Sequence, residues 1–196
     1  MGEWQTAINI FRGGGIVIFP TDTIFGIGCR VGDLEAIRKL YNIRKRGKKK
    51  PTLILAESLE QVQRYAHLTR EAKILAERFW PGPLTLILKA TENTPDLILS
   101  RDKSIGIRIP NLSSLRKIIK QVGEPILAPS ANFSGKVPPK RFSEIDKNLA
   151  KLVDYVLKFD CGSGEPSTII KMIDNKRLLL REGAIKKSQL FHKKGV

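Results

Sequence analysis

Every apolar run in this chain is short. IVIF, LIL, LTLIL and LLL are strand-sized, and none approaches the roughly 18 residues that a membrane-crossing helix needs. Each run is also cut off sharply, by proline in IVIFP and SIGIRIP, by a polar turn in PILAPSAN, and by charge in RLLLRE. Between the runs lie segments whose apolar residues recur at helical spacing. Trp4, Ala7, Ile8 and Phe11 share one helical face over residues 3–12, and GGG at 13–15 ends that helix. DLEAIRKLYNIR predicts a helix capped by Asp33 with Leu34, Ile37, Leu40 and Tyr41 on its buried side. Thr69 caps a helix striped by Ala72, Leu75, Ala76 and Phe79, Ser58 caps a shorter one, and SSLRKIIKQVG closes on Gly123. ENTPDLILSRDK reads as an excursion, drawn as a hairpin. Three strands follow late, LVDYVLKF, STIIKM and RLLLRE. Strands and helices that alternate early and strands that cluster late predict an α/β fold, with one mixed, twisted β-sheet flanked by helices.

A chain of 196 residues suits one domain with a sizeable core. No internal repeat or long linker divides it, so the expectation is a single domain over 1–196, with a core at 13–185 and a basic tail at 186–196. The N-terminus lacks the basic-then-apolar layout of a secretory leader. Cys29 and Cys161 make no CxxC pair, and His67 and His192 have no acidic or cysteine neighbour at ligand spacing. That excludes a disulfide framework and a structural zinc site, and predicts no bound metal and a cytoplasmic protein off the membrane. The net charge of +16 attracts polyanions, and RKRGKKK at 44–50 concentrates it. Read alone, that stretch fits a nucleic-acid patch, a targeting signal or a phosphate-holding loop.

The familiar nucleotide motifs are missing. Gly26 and Gly28 follow a strand, but Val31 stands where a dinucleotide fingerprint needs a third small residue. There is no GxxxxGK[ST] and no GxSxG. Polar residues at the ends of apolar strands remain: Thr21, Asp22 and Thr23 after IVIFP, Arg108 in IRIP, Ser130 and Asn132 after ILAP, Ser167 and Thr168 opening STIIKM, and Arg181 ending LLLRE. Ligands of α/β sheets sit beyond strand ends, and these groups supply directional hydrogen bonds and positive charge. Each alone also fits a turn or a solvated strand end. Five such clusters beside a basic loop favour a site.

FPTDTIFGIG, RKRGKKKPTLIL, WPGPLTLIL, IGIRIP, APSANFSG, GEPSTII and LLREGAI, in this order from about Gly13 to Ile185, resemble the YrdC/TsaC family of threonylcarbamoyl-AMP synthases. The resemblance implies a YrdC-like fold with a large open cavity, in the short form without an extra C-terminal domain. It implies a nucleotidyltransferase that makes threonylcarbamoyl-AMP and pyrophosphate from L-threonine, bicarbonate or CO2, and ATP, with Mg2+ on the triphosphate. A tRNA threonylcarbamoyltransferase partner then modifies position 37 of tRNA, and the chain itself could touch tRNA. By position, Arg44, Arg46, Ser130 and Asn132 grip triphosphate and carbamate as the catalytic set. Thr23, Arg108 and Ser167 bind threonine, and Lys48 and Arg181 complete the ATP contacts. The sequence departs from the family where Arg44 replaces a lysine, a role that Lys45 takes if the loop shifts by one, and where VPPKR replaces SPT after SG. An RNA-binding protein of the same fold is the competing reading. A carbamoyl-adenylate enzyme of the hydrogenase-maturation type would bring CxxC zinc fingers, which are absent.

Overall fold

The computed structural model describes residues 2–45, 52–173 and 176–191. The strands are β1 (Val17–Phe19), β2 (Gly26–Gly28), β3 (Leu53–Leu55), β4 (Leu84–Lys89), β5 (Ser104–Arg108), β6 (Ile126–Leu127), β7 (Tyr155–Val156), β8 (Thr168–Ile173) and β9 (Lys176–Arg181). The helices are α1 (Glu3–Arg12), α2 (Leu34–Ile43), α3 (Leu59–Tyr65), α4 (Arg70–Phe79), α5 (Ser113–Val122), α6 (Lys147–Ala150) and α7 (Lys187–Phe191). Local chemistry sets the helix ends. Asp33, Ser58 and Thr69 accept hydrogen bonds from the backbone N–H of Ala36, Gln61 and Ala72, and Gly123 closes α5 at a φ of +88°. On α2, Ala36 rather than Leu34 completes the buried face with Ile37, Leu40 and Tyr41; Leu34, the first helical residue, is exposed.

The mixed α/β class holds, but the strands divide between two sheets. One has the order β2-β1-β7 and the other β6-β3-β5-β4-β8-β9. Both mix parallel and antiparallel pairs. They are joined at β2 and β6 by isolated bridges, Gly26 to Ser130 and Arg30 to Ile126. The close approach there requires glycine, since a Cβ on Gly28 would stand 1.7 Å from the Leu127 carbonyl oxygen. Of the three late strands, β7 leaves the other two and pairs with β1. The 92–103 excursion makes no strand pair of its own: it carries a 3-10 turn at Asp96–Ile98 and connects β4 to its antiparallel neighbour β5. Pro95 opens it and Asp102 ties it down: the carboxylate accepts from Lys171 of β8 and from the Ser100 and Ser104 hydroxyls.

Two apolar clusters fill the interior. α1 and α5 enclose one, with Ala7, Ile8, Phe11, Leu115, Ile118 and Ile119 against Val17 and Phe19. The larger contains Ile18, Ile37, Leu40, Leu75, Leu86, Ile107 and Ile170. β8 alternates, with Thr168, Ile170 and Met172 buried and Ile169, Lys171 and Ile173 half-buried on the opposite face. β9 is an edge strand, with Leu178 and Leu180 exposed. No helix among the described residues is long and apolar enough to cross a membrane.

Candidate active site

One row of residues crosses the half-open face of the larger sheet. Leu55 pairs with Arg108, Thr85 with Ile169, and Ile169 with Arg181, so these side chains share a side. With Leu53 and Ser167 they floor a cavity of about 470 Å³. Its roof comes from the turn after β1, at Thr21 to Gly26, and from the turn after β6, at Ala128 to Pro138. Thr23, Arg44, Arg108, Ser130, Asn132, Ser167 and Arg181 all line it. Arg46 and Lys48 lie outside the described residues.

Arg108 is the most constrained of these groups. It is 2% exposed. Its Nε donates to the Gly82 carbonyl at 3.0 Å, Nη1 to the Thr23 hydroxyl at 2.8 Å, and Nη2 to the Asp22 carboxylate. A guanidinium has five N–H donors, so two remain after these three bonds. Burial pushes its pKa below the ordinary arginine value, the Asp22 carboxylate pulls it back up, and Arg181 lowers it further. It stays a cation throughout the accessible pH range. The Thr21 hydroxyl donates to the Ile24 carbonyl at 2.7 Å, so in its 2.9 Å contact with Thr23 it accepts. Thr23 therefore receives Arg108 and gives to Thr21, which locks its rotamer.

Arg44 stands at the C-terminal end of α2. Its Nε donates to the Asn132 carbonyl at 3.2 Å, and its own carbonyl accepts from the Ser134 N–H at 3.1 Å. Those bonds hold the end of α2 against the Ser130–Asn132 turn. Lys45 takes a positive φ of 50° and sets its ammonium over the Phe133 ring at 6.0 Å. Of these two neighbours, it is Arg44 that lines the cavity. The Asn132 amide nitrogen donates to the Phe133 and Lys136 carbonyls, at 2.9 and 2.7 Å, which pins the turn beyond it.

At the far wall Arg181 grips Ser167 twice. Nε donates to its carbonyl at 3.0 Å and Nη2 to its hydroxyl at 3.3 Å. Burial lowers the Arg181 pKa. Thr168, next along, faces inward and accepts from the Gly183 and Ile185 N–H groups, so its part is to anchor the following segment. Sequence reasoning missed Thr85, which lines the cavity from the middle of the floor. A threonine within WPGPLT reads simply as a strand residue.

The chemistry available is binding and charge neutralisation. Burial, then Asp33 and Glu124, push the Cys29 thiol up to about 12, and burial takes Cys161 to about 11, so neither is a ready nucleophile. No described lining residue is acidic or a histidine. No group of three or more His, Cys, Asp or Glu among the described residues could hold a metal. Cations, hydroxyls and an amide around an apolar floor suit an anionic ligand with a small organic part.

The Sua5/YciO/YrdC family, described as "Telomere recombination", matches residues 9–183. A Methanocaldococcus jannaschii protein, named provisionally as a threonylcarbamoyl-AMP synthase, is 42% identical over 88% of this chain and 81% of its own length. A Pyrococcus abyssi threonylcarbamoyl-AMP synthase is 33% identical over 93% of this chain. The crystal structure of P. abyssi Sua5 complexed with L-threonine superposes with a TM-score of 0.90 at 31% identity over 97% of this chain. This chain spans 55% of the P. abyssi synthase and 57% of the Sua5 structure. The fold is thus shared with solved relatives, and the chain belongs to the Sua5/YciO/YrdC family.

Proposed function

We propose that this chain is an L-threonylcarbamoyladenylate synthase, a nucleotidyltransferase that joins L-threonine, bicarbonate or CO2, and ATP into threonylcarbamoyl-AMP with release of pyrophosphate and water. The observation that carries this reading is the convergence of Thr23, Arg44, Arg108, Ser130, Asn132, Ser167 and Arg181 on one cavity. The names of the relatives, and the threonine held by one of them, support it over an RNA-binding protein without synthase activity.

In this mechanism the threonine carboxylate takes the two remaining N–H donors of Arg108, oriented beforehand by Gly82, Thr23 and Asp22. Thr23 and Ser167 complete the amino-acid end. Bicarbonate takes up a proton and loses water to give CO2, and the threonine amine, once its ammonium is deprotonated, adds to that carbon and loses a second proton to give a carbamate. The carbamate oxygen attacks the α-phosphorus, and the bond to the bridging oxygen of pyrophosphate breaks. ATP, the carbamate and pyrophosphate are all anionic, so the chain works by placing charge and donors, with no covalent intermediate on the protein. Arg44, Ser130 and Asn132 hold the phosphates and carbamate from the roof, Arg181 holds the nucleotide from the far wall, and Arg46 and Lys48 extend that grip. The described lining side chains make no carboxylate cage for Mg2+, so no step here runs through it; the ion that neutralises ATP would arrive on the triphosphate.

We also assign 1–196 to one domain, a cytoplasmic location, and a tRNA threonylcarbamoyltransferase as the partner that consumes the product at tRNA position 37. Threonine-dependent release of pyrophosphate from ATP, with label from bicarbonate appearing in an adenylate, tests the reading. Folded protein that forms no such product overturns it.

A further inference from the structure

Thr85 has no part in the contacts so far, yet it sits at the centre of the cavity floor. It is buried in β4, the strand between β5, which carries Arg108, and β8, which begins just after Ser167. Its hydroxyl lies 2.8 Å from the Ser167 hydroxyl, and either oxygen can be the donor. The Ser167 oxygen already accepts from the Arg181 guanidinium at 3.3 Å, and arginine can only donate. Two arrangements are therefore open. If Ser167 donates to Thr85, the proton left for the cavity belongs to Thr85. If Thr85 donates to Ser167, the Ser167 oxygen accepts from both sides and its own proton is left for the cavity.

An anionic ligand separates the two. A hydroxyl that accepts from a cation and from a second hydroxyl is polarised, and is the stronger donor toward a carboxylate or carbamate. We propose that Thr85 is a positioning residue: it donates to Ser167, fixes that rotamer and, together with Arg181, turns the Ser167 proton toward the amino-acid substrate. The relay Thr85–Ser167–Arg181 then joins the amino-acid end of the cavity to its nucleotide end. The role rests on the synthase reading above and assigns a residue that reading did not use.

The test separates hydroxyl from shape. Thr85→Val keeps the branched outline and suits a strand, but cannot donate. Thr85→Ser keeps the donor and gives up the methyl. The expected result is a crossed pattern. Thr85→Val melts close to the wild type, with threonine KM raised about fivefold to tenfold and kcat changed less than about twofold, the size of one lost hydrogen bond in the ground state. Thr85→Ser melts lower, with threonine KM within about twofold of the wild type. Calorimetric titration of threonine should show the same order of affinities. Should Thr85→Val fail to fold, Thr85→Ala carries the same kinetic expectation. A threonine KM in the hydroxyl-free variant within about twofold of the wild type overturns the role, as does Thr85→Ser binding as weakly as Thr85→Val. A wild type that releases no pyrophosphate with threonine overturns the functional reading and this role with it, whereas an active wild type beside an unmoved variant overturns the role alone.

Discussion

Arg108 is a buried cation whose counter-ion is part of the fold. Asp22 supplies the charge, and its side chain is only 12% exposed. Removing one partner of a buried pair leaves an uncompensated charge, so Asp22→Asn should cost about 3 kcal/mol in urea unfolding. Threonine would supply a replacement carboxylate, so saturating threonine should raise the variant's midpoint more than the wild type's. Equal shifts would mean that the substrate carboxylate goes elsewhere. Arg108→Lys loses the planar fork and should raise threonine KM at least about tenfold while the protein stays folded. Ser130→Ala should cut turnover sharply with little change in melting, because the Ser130 hydroxyl lines the cavity and its backbone, unchanged by the substitution, makes the bridge to Gly26. At this scale much of the site was legible. Thr23, Arg108, Ser130, Asn132, Ser167 and Arg181 stand out as a set: each alone fits a turn or a solvated strand end, but their clustering at strand ends beside a basic loop does not. Thr85 was not, because a threonine inside a strand is ordinary, and only the pairing of β4 with β8 reveals what its hydroxyl meets.

Helices were read well from sequence because their determinants are local. Caps at Asp33, Ser58 and Thr69 and the stop at Gly123 fall within one turn of what they control. The division into two sheets was hidden because strand pairing is non-local, and the same apolar run suits either sheet. The junction can be tested directly. In Gly28→Ala the new methyl would collide with the backbone of Leu127, which has no rotamer to escape into. A loss of at least about 3 kcal/mol, or of soluble protein, is expected from chemical denaturation. The tie between the 92–103 excursion and β8 has a pH signature. Hydrogen bonds from Lys171, then Ser100 and Ser104, hold the Asp102 carboxyl well below the usual range. A depressed carboxylate adds stability that is complete above its unfolded pKa of about 4 and is lost as pH falls through the folded value. Because the carboxylate is 39% exposed, Asp102→Asn should cost only about 1 kcal/mol at pH 7. That difference from the wild type should shrink steadily in urea titrations taken below pH 4.

The whole molecule carries +16, and the cavity draws on the same sign of charge through Arg44, Arg108 and Arg181. A long-range field of this size speeds the arrival of any anion, substrate or not. Non-specific RNA retention should therefore fall by orders of magnitude between 50 and 200 mM salt, whereas threonine affinity, set by contacts inside the cavity, should move far less. Equal salt slopes in filter binding and calorimetry would remove the distinction. The sign of this field could be read from composition, but composition alone does not bring Arg44, Arg108 and Arg181 to one cavity. The positive charge has a further bearing on the β9 margin of the larger sheet. Leu178 and Leu180 project there beside backbone groups with no strand beyond them among the described residues, the makings of a seed for intermolecular ladders. Lys176, Arg177 and Arg181 lie on the same strand. In an antiparallel encounter of two such margins they would bring cation against cation, so the strand acts as its own gatekeeper. Colloidal stability should then be greatest in dilute buffer and decline as added salt mutes that repulsion.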